Sequence, residues 1–156
     1  MMQVADYIAK TVADYGVRHV FMVTGGGAMF LNHAFSRERR IRCIYNQHEQ
    51  ACAMAAEGYA RVSGGIGVVN VTSGPGGINA LNGVYGAWTD SIPLLIVSGQ
   101  VKRETCMASY PGTLLRQLGD QEANIIGMVR GITKYSAWVS DPQNIRHHLD
   151  AALKTA

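Results

Sequence analysis

Cysteine is scarce in this chain: Cys43, Cys52 and Cys106 form an odd set of three with no C-x-x-C pair. That usage excludes a disulfide framework, offers no zinc site and fits a reducing cytoplasm. No apolar run opens the sequence, because Asp6, Lys10 and Asp14 interrupt residues 1–15 at helical spacing. Neither a signal peptide nor a membrane span is expected there. Concentrated positive charge is also missing. The net charge is only +3, and Arg37, Arg39, Arg40 and Arg42 gather between a helix and a strand, where a solvated turn accounts for them. Nucleic-acid binding is not implied.

What is present is a 156-residue chain with 47% hydrophobic residues, the size of one domain. Val4, Ile8, Val12 and Tyr15 recur at helical spacing and Gly16 follows, so residues 3–15 read as a helix with a glycine stop. A strand over 17–23 leads into Thr24-Gly25-Gly26-Gly27-Ala28-Met29, a loop opening a helix that runs to Ser36. A strand over 41–45 is followed by an alanine-rich helix over 47–63. Residues 68–72 form a strand with almost no polar alternation, which marks it as covered on both faces. After Ser73-Gly74-Pro75-Gly76-Gly77 come a helix over 78–89 and a strand over 93–97. The repeat of strand, glycine loop and helix predicts an α/β fold: a doubly wound, mostly parallel sheet with helices on both faces. Residues 98–118 show no period. A short helix over 121–129, a strand over 132–139 and a helix over 142–154 are expected beyond them. A doubly wound sheet would continue with another strand, so residues 1–156 are expected to form a single domain lacking its final strand, cut from a longer chain; the rival expectation is a naturally separate small subunit that pairs with a partner chain.

The stretch Tyr45-Asn46-Gln47-His48-Glu49-Gln50-Ala51 joins a strand to the alanine-rich helix and carries two readings. Asn46 three residues before Glu49 is a capping-box pattern. The small, apolar helix that follows is one that packs inside, so Glu49 also reads as a buried acid that must be paired or hydrogen-bonded, as in a cofactor site. The loop at Gly25 and Gly27 begins a dinucleotide fingerprint but has Phe30 at the third glycine position. Residues 72–77 lack the Lys-Ser/Thr ending of a P-loop, and no G-x-S-x-G surrounds Ser73. Both loops nevertheless let backbone approach a ligand at the carboxyl ends of strands. Gln121 and Glu122 read on their own as capping or solvated residues, and His147 and His148 as surface residues.

Taken together, His48-Glu49-Gln50-Ala51, Ala56-Glu57-Gly58-Tyr59-Ala60-Arg61, Val71-Thr72-Ser73-Gly74-Pro75-Gly76, Asp90-Ser91-Ile92-Pro93 and Ser98-Gly99-Gln100 resemble the N-terminal, pyrimidine-binding domain of thiamine-diphosphate-dependent enzymes. The acetolactate synthase-like branch is the nearest in pattern. Gln121-Glu122 ahead of Ile132-Thr133-Lys134 match that branch too. The resemblance implies a thiamine-diphosphate lyase or transferase that decarboxylates or carboligates a 2-oxo acid such as pyruvate. It implies that Glu49 exchanges a proton with ring nitrogen N1′ of the cofactor, helping its exocyclic nitrogen to deprotonate thiazolium C2. Thr24, Gly25, Gly26, Gly27, Thr72, Ser73, Gly74, Pro75, Gly76 and Asn79 would line the cofactor, and Gln121 would face the substrate. Asp120 stands where the synthases commonly carry Phe, so acetolactate formation itself does not follow. The family's Gly-Asp-Gly…Asn-Asn motif is absent from these residues. Mg²⁺ and the diphosphate would therefore be held by a C-terminal domain of another subunit, in a homodimer or homotetramer, and this chain alone would be inactive. As a naturally separate small subunit it would pair with a diphosphate-binding partner. The resemblance leaves FAD in the full-length enzyme, and the donor and acceptor substrates, open. The rival from a different class is a catalytically silent nucleotide-binding or scaffolding module with the same fold.

Overall fold

Glycine loops alternating with apolar runs become, in a computed structural model describing residues 2–156, four parallel strands. These are β1 (His19–Met22), β2 (Arg42–Tyr45), β3 (Gly67–Val71) and β4 (Leu94–Ser98), in the order β2-β1-β3-β4. Val20 is in register with Cys43 on one side and Val68 on the other, and Val69 with Ile96. The chain leaves β1 for β2 in one direction and then crosses to β3 in the other. The sheet is thus doubly wound, with its switch point between β1 and β3.

Strand periodicity divides the core. Val68 packs with α1 (Val4–Asp14), α2 (Met29–Arg37) and α6 (Ile145–Thr155), whereas Val69 and Val71 pack with α3 (Glu49–Ser63) and α4 (Pro75–Thr89). Adjacent side chains on β3 thus serve opposite layers, as a period of two requires. Phe35 on α2 is fully buried, contributing about 1.5–3 kcal/mol relative to exposure. On the other layer α3 and α4 approach closely because Ala53 meets Gly83, where a Cβ would collide with the alanine methyl. Arg61 ties the two helices together, bonding Glu57 at 2.5 Å and also Asp90. The arginine-rich turn is solvated as expected, with Arg40 paired to Glu38 at 2.8 Å and to Asp14 at 2.7 Å.

Three expectations are corrected. Residues 132–139 form no strand; they run beside β4 without joining its ladder, across a cavity of about 720 Å³ lined by Leu95, Val97, Ile132, Trp138, Ile145 and Leu149. An alternating pattern becomes a ladder only where its backbone bonds a neighbouring strand, and here the cavity lies between this segment and the free edge of β4. The helix expected over 121–129 shrinks to α5 (Ile125–Val129), because Gln121 takes a left-handed φ of 53°. The helix expected from residue 78 instead starts at Pro75, whose ring suits a first helical position. No helix among the described residues is long and apolar enough to cross a membrane.

Candidate functional site

The loops that follow β1, β3 and β4 are stitched together at the carboxyl edge of the sheet. The Gly27 amide donates to Thr72 Oγ1 at 3.0 Å, the Gln100 amide to the Gly27 carbonyl at 3.1 Å, and the Gly99 amide to the Val71 carbonyl at 2.8 Å. Gly25 lies against the Thr72 side chain and Gly27 against Ser73, leaving no room for a Cβ at either. Thr24 and Gly26 face outward from the same loop. Backbone therefore covers the switch point, where open α/β sheets bind ligands.

Glu49 enters this edge from α3, and its placement corrects the capping-box expectation. The N-cap is His48, whose Nδ1 accepts the Gln50 amide at 3.1 Å. Glu49 is consequently the first helical residue and not the third, so its carboxylate is not held by Asn46. It is buried, at 9% exposure, and Oε2 accepts the Asn79 side-chain amide from α4 at 2.9 Å. Oε1 receives no hydrogen bond from the described residues and lies 3.3 Å from the point where a side chain at Gly76 would begin. One oxygen is fixed and the other is left beside a side-chain-free surface. Asn46 Oδ1, buried just ahead of α3, also lacks a partner. A carboxylate with an uncommitted oxygen, a neighbouring unpaired amide oxygen and a glycine-kept space fit a heteroaromatic ligand that offers N–H groups.

The first turn of α4 links this acid to residues from the far end of the chain. Gly74 has φ 56°, a region glycine enters without cost, and a side chain there would run into the Gln121 carbonyl. Ile125 packs on Gly77 one turn later, 3.4 Å from where its Cβ would lie. Gly74–Gly77 is thus covered by Gln121 and Ile125 and, at Gly76, approaches Glu49. The structure brings Glu49, Thr72, Ser73, Gly74, Gly76, Asn79 and Gln121 to one edge. Pro75 is exposed at the start of α4, and Gln121 is exposed as well.

Sequence reasoning missed Glu122, which is half-buried and bonded rather than solvated: its carboxylate accepts the Met107 amide at 2.8 and 3.0 Å and the Gly119 amide at 3.2 Å. No local pattern signals a partner fifteen residues away. Cys52, fully buried beneath Glu49's turn, has its thiol pushed up to about 11, chiefly by burial, with the Glu49 charge adding to it.

The family described as "Thiamine pyrophosphate enzyme, N-terminal TPP binding domain" matches residues 2–125. The chain is 36% identical over 152 residues to the acetolactate synthase large subunit of Haemophilus influenzae, covering 97% of this chain and 25% of that protein. It is 36% identical over 153 residues to the acetolactate synthase isozyme 3 large subunit of Escherichia coli, covering 98% and 25%. Against the chloroplastic acetolactate synthase of Arabidopsis thaliana it is 36% identical over 152 residues, covering 96% and 21%. The chain thus spans about a quarter of the length of these relatives.

Proposed function

The chain belongs to the thiamine pyrophosphate enzymes, as their N-terminal domain in the acetolactate synthase branch, and from that premise we propose that it is the half-site that grips the cofactor's aminopyrimidine. The carrying observation is the Glu49 carboxylate, with Oε2 tied to Asn79 and Oε1 uncommitted beside Gly76. When bound, thiamine diphosphate supplies the nucleophilic carbon and electron sink for a 2-oxo acid. Glu49 holds and moves a proton at Oε1, and Asn79 fixes the rotamer from which it does so. The loops at residues 24–27 and 72–76 bring backbone against the ligand and exclude water. Gln121 orients the substrate.

Diphosphate and Mg²⁺ belong to a partner domain in another subunit of a cytoplasmic homodimer or homotetramer. The helices α3 and α4 support this, since they leave Met54, Ile78, Tyr85 and Trp88 exposed. The open edge of β4, facing the 720 Å³ cavity, supports a further strand pairing there in the complete sheet. The reaction is decarboxylation or carboligation of a 2-oxo acid. Full-length protein, with thiamine diphosphate and Mg²⁺ added, should release CO₂ from at least one of a panel of pyruvate and longer or aromatic 2-oxo acids, and Glu49→Gln should abolish it. Cofactor binding with no release from any of them would favour the silent module.

A further inference from the structure

We propose that Glu122 is the positioning residue that presents Gln121 to the reaction site, by closing the connection between β4 and α5 on its own backbone. The inference rests on the reading that Gln121 faces substrate. Both Glu122 oxygens accept the Met107 amide, at 2.8 and 3.0 Å, and one also accepts the Gly119 amide at 3.2 Å. The Glu122 amide in turn donates to the Gly119 carbonyl at 3.2 Å, so the carboxylate and the backbone lock the same turn. Gly119 is buried, and a Cβ there would meet the Val101 side chain and lie 2.8 Å from the Thr105 carbonyl. The two ends of the connection are thereby pressed together over the buried Cys106.

Gln121 sits inside that clamp with φ 53°, and its carbonyl rests against Gly74. A left-handed conformation in a residue other than glycine persists only where its surroundings over-determine it. On one side of Gln121 the surroundings are the Gly74 turn; on the other they are the Gly119–Glu122 turn, which the Glu122 carboxylate closes. The Gln121 side chain itself makes no hydrogen bond to the described residues, so its direction follows from the backbone that Glu122 holds. Glu122→Gln keeps the shape but turns one acceptor oxygen into a donor, which opposes the Met107 and Gly119 amides.

The test is a double-mutant cycle in the full-length enzyme, using the 2-oxo acid turned over in the panel above and reading kcat/KM, cofactor Kd and thermal unfolding. Glu122→Gln should lower kcat/KM by roughly 10–100-fold, the scale of a small misplacement, with cofactor Kd unchanged. In a Gln121→Ala background the same change should have no further effect on kcat/KM, because the residue it positions is gone. Glu122→Asp, which keeps both acceptor oxygens, should recover part of the loss and serves if Glu122→Gln does not fold. An equal fold-loss in both backgrounds would overturn the positioning role while leaving Gln121 at the substrate. Gln121→Ala with undiminished kcat/KM would show instead that the underlying reading of Gln121 is wrong. Unchanged kcat/KM in folded Glu122→Gln would likewise overturn the proposal.

Discussion

Asn79 on α4 donates its side-chain amide to Oε2 of Glu49 on α3 across 2.9 Å, joining two neighbouring helices through a buried carboxylate. A hydrogen bond to a charged group is worth about 1.5–3 kcal/mol, and the carboxylate left behind cannot recover it from bulk water. Asn79→Ala is therefore expected to lower stability by about that amount in urea unfolding. Asn82, which accepts from Gln50 at 3.2 Å in an exposed position, provides the contrast. Asn82→Ala should stay within about 0.5 kcal/mol of the parent.

Gly74 and Gly16 differ in what a side chain would have to overcome. Both have positive φ, 56° and 98°, but only Gly74 has a neighbour in the way. Gly16→Ala should cost about 1–2 kcal/mol, the left-handed penalty alone. Gly74→Ala would have to hold ψ −120°, outside the left-handed helical region, and also push back the Gln121 carbonyl, adding about 1–3 kcal/mol to the Gly16→Ala cost. Parallel unfolding curves that gave the two variants the same stability would remove the claimed contact.

Cys52 gives the chain a pH dependence on the alkaline side. Burial pushes its thiol from 9.0 up to about 11. Below pH 9 the thiol is neutral in both folded and unfolded chains, so its contribution is fully present. As pH rises from 9 to 11 the unfolded thiol ionises first, and stability falls. The expected extra slope is about 1.4 kcal/mol per pH unit for one proton. Cys52→Ala should lack it when unfolding is followed across that range.

Much of this architecture was legible beforehand, and the failures have local causes. Helical spacing at Val4, Ile8 and Val12 and the unbroken apolar run at Val68–Val71 found α1 and β3, because burial dictates both patterns. The loops at Gly25 and Gly74 announced close approach, and the resemblance carried Glu49 and Asn79 to the site. Periodicity could not tell an extended segment from a strand at Ile132–Val139, since that depends on whether the segment reaches the free edge of β4, from which a cavity separates it. It also placed the cap at Asn46 instead of His48, a shift that converts Glu49 from a capping residue into one free to face a ligand. Glu122 was invisible for a different reason: its partners Met107 and Gly119 are brought to it only by the closure of an irregular connection.

The α3 and α4 faces carry a prediction about assembly. Met54, Tyr85 and Trp88 are each more than 40% exposed there, and an apolar surface of that kind favours association. The 156-residue chain should sediment as at least a dimer. Tyr85→Lys combined with Trp88→Glu should shift it toward monomer without lowering the unfolding midpoint, whereas a parent chain that stays monomeric at high concentration would contradict the interface.

The most direct test of the account is hydrogen–deuterium exchange at thiazolium C2 of thiamine diphosphate bound to the full-length enzyme, compared between the parent and Glu49→Gln. Gln can keep the bond from Asn79 through its oxygen, so the fold should persist, but it cannot exchange a proton with the ring. The account predicts exchange slower by roughly 10²–10⁴-fold, the loss typical of removing a general acid or base. Exchange at the parent rate, in a stably folded Glu49→Gln enzyme that still binds the cofactor, would contradict it.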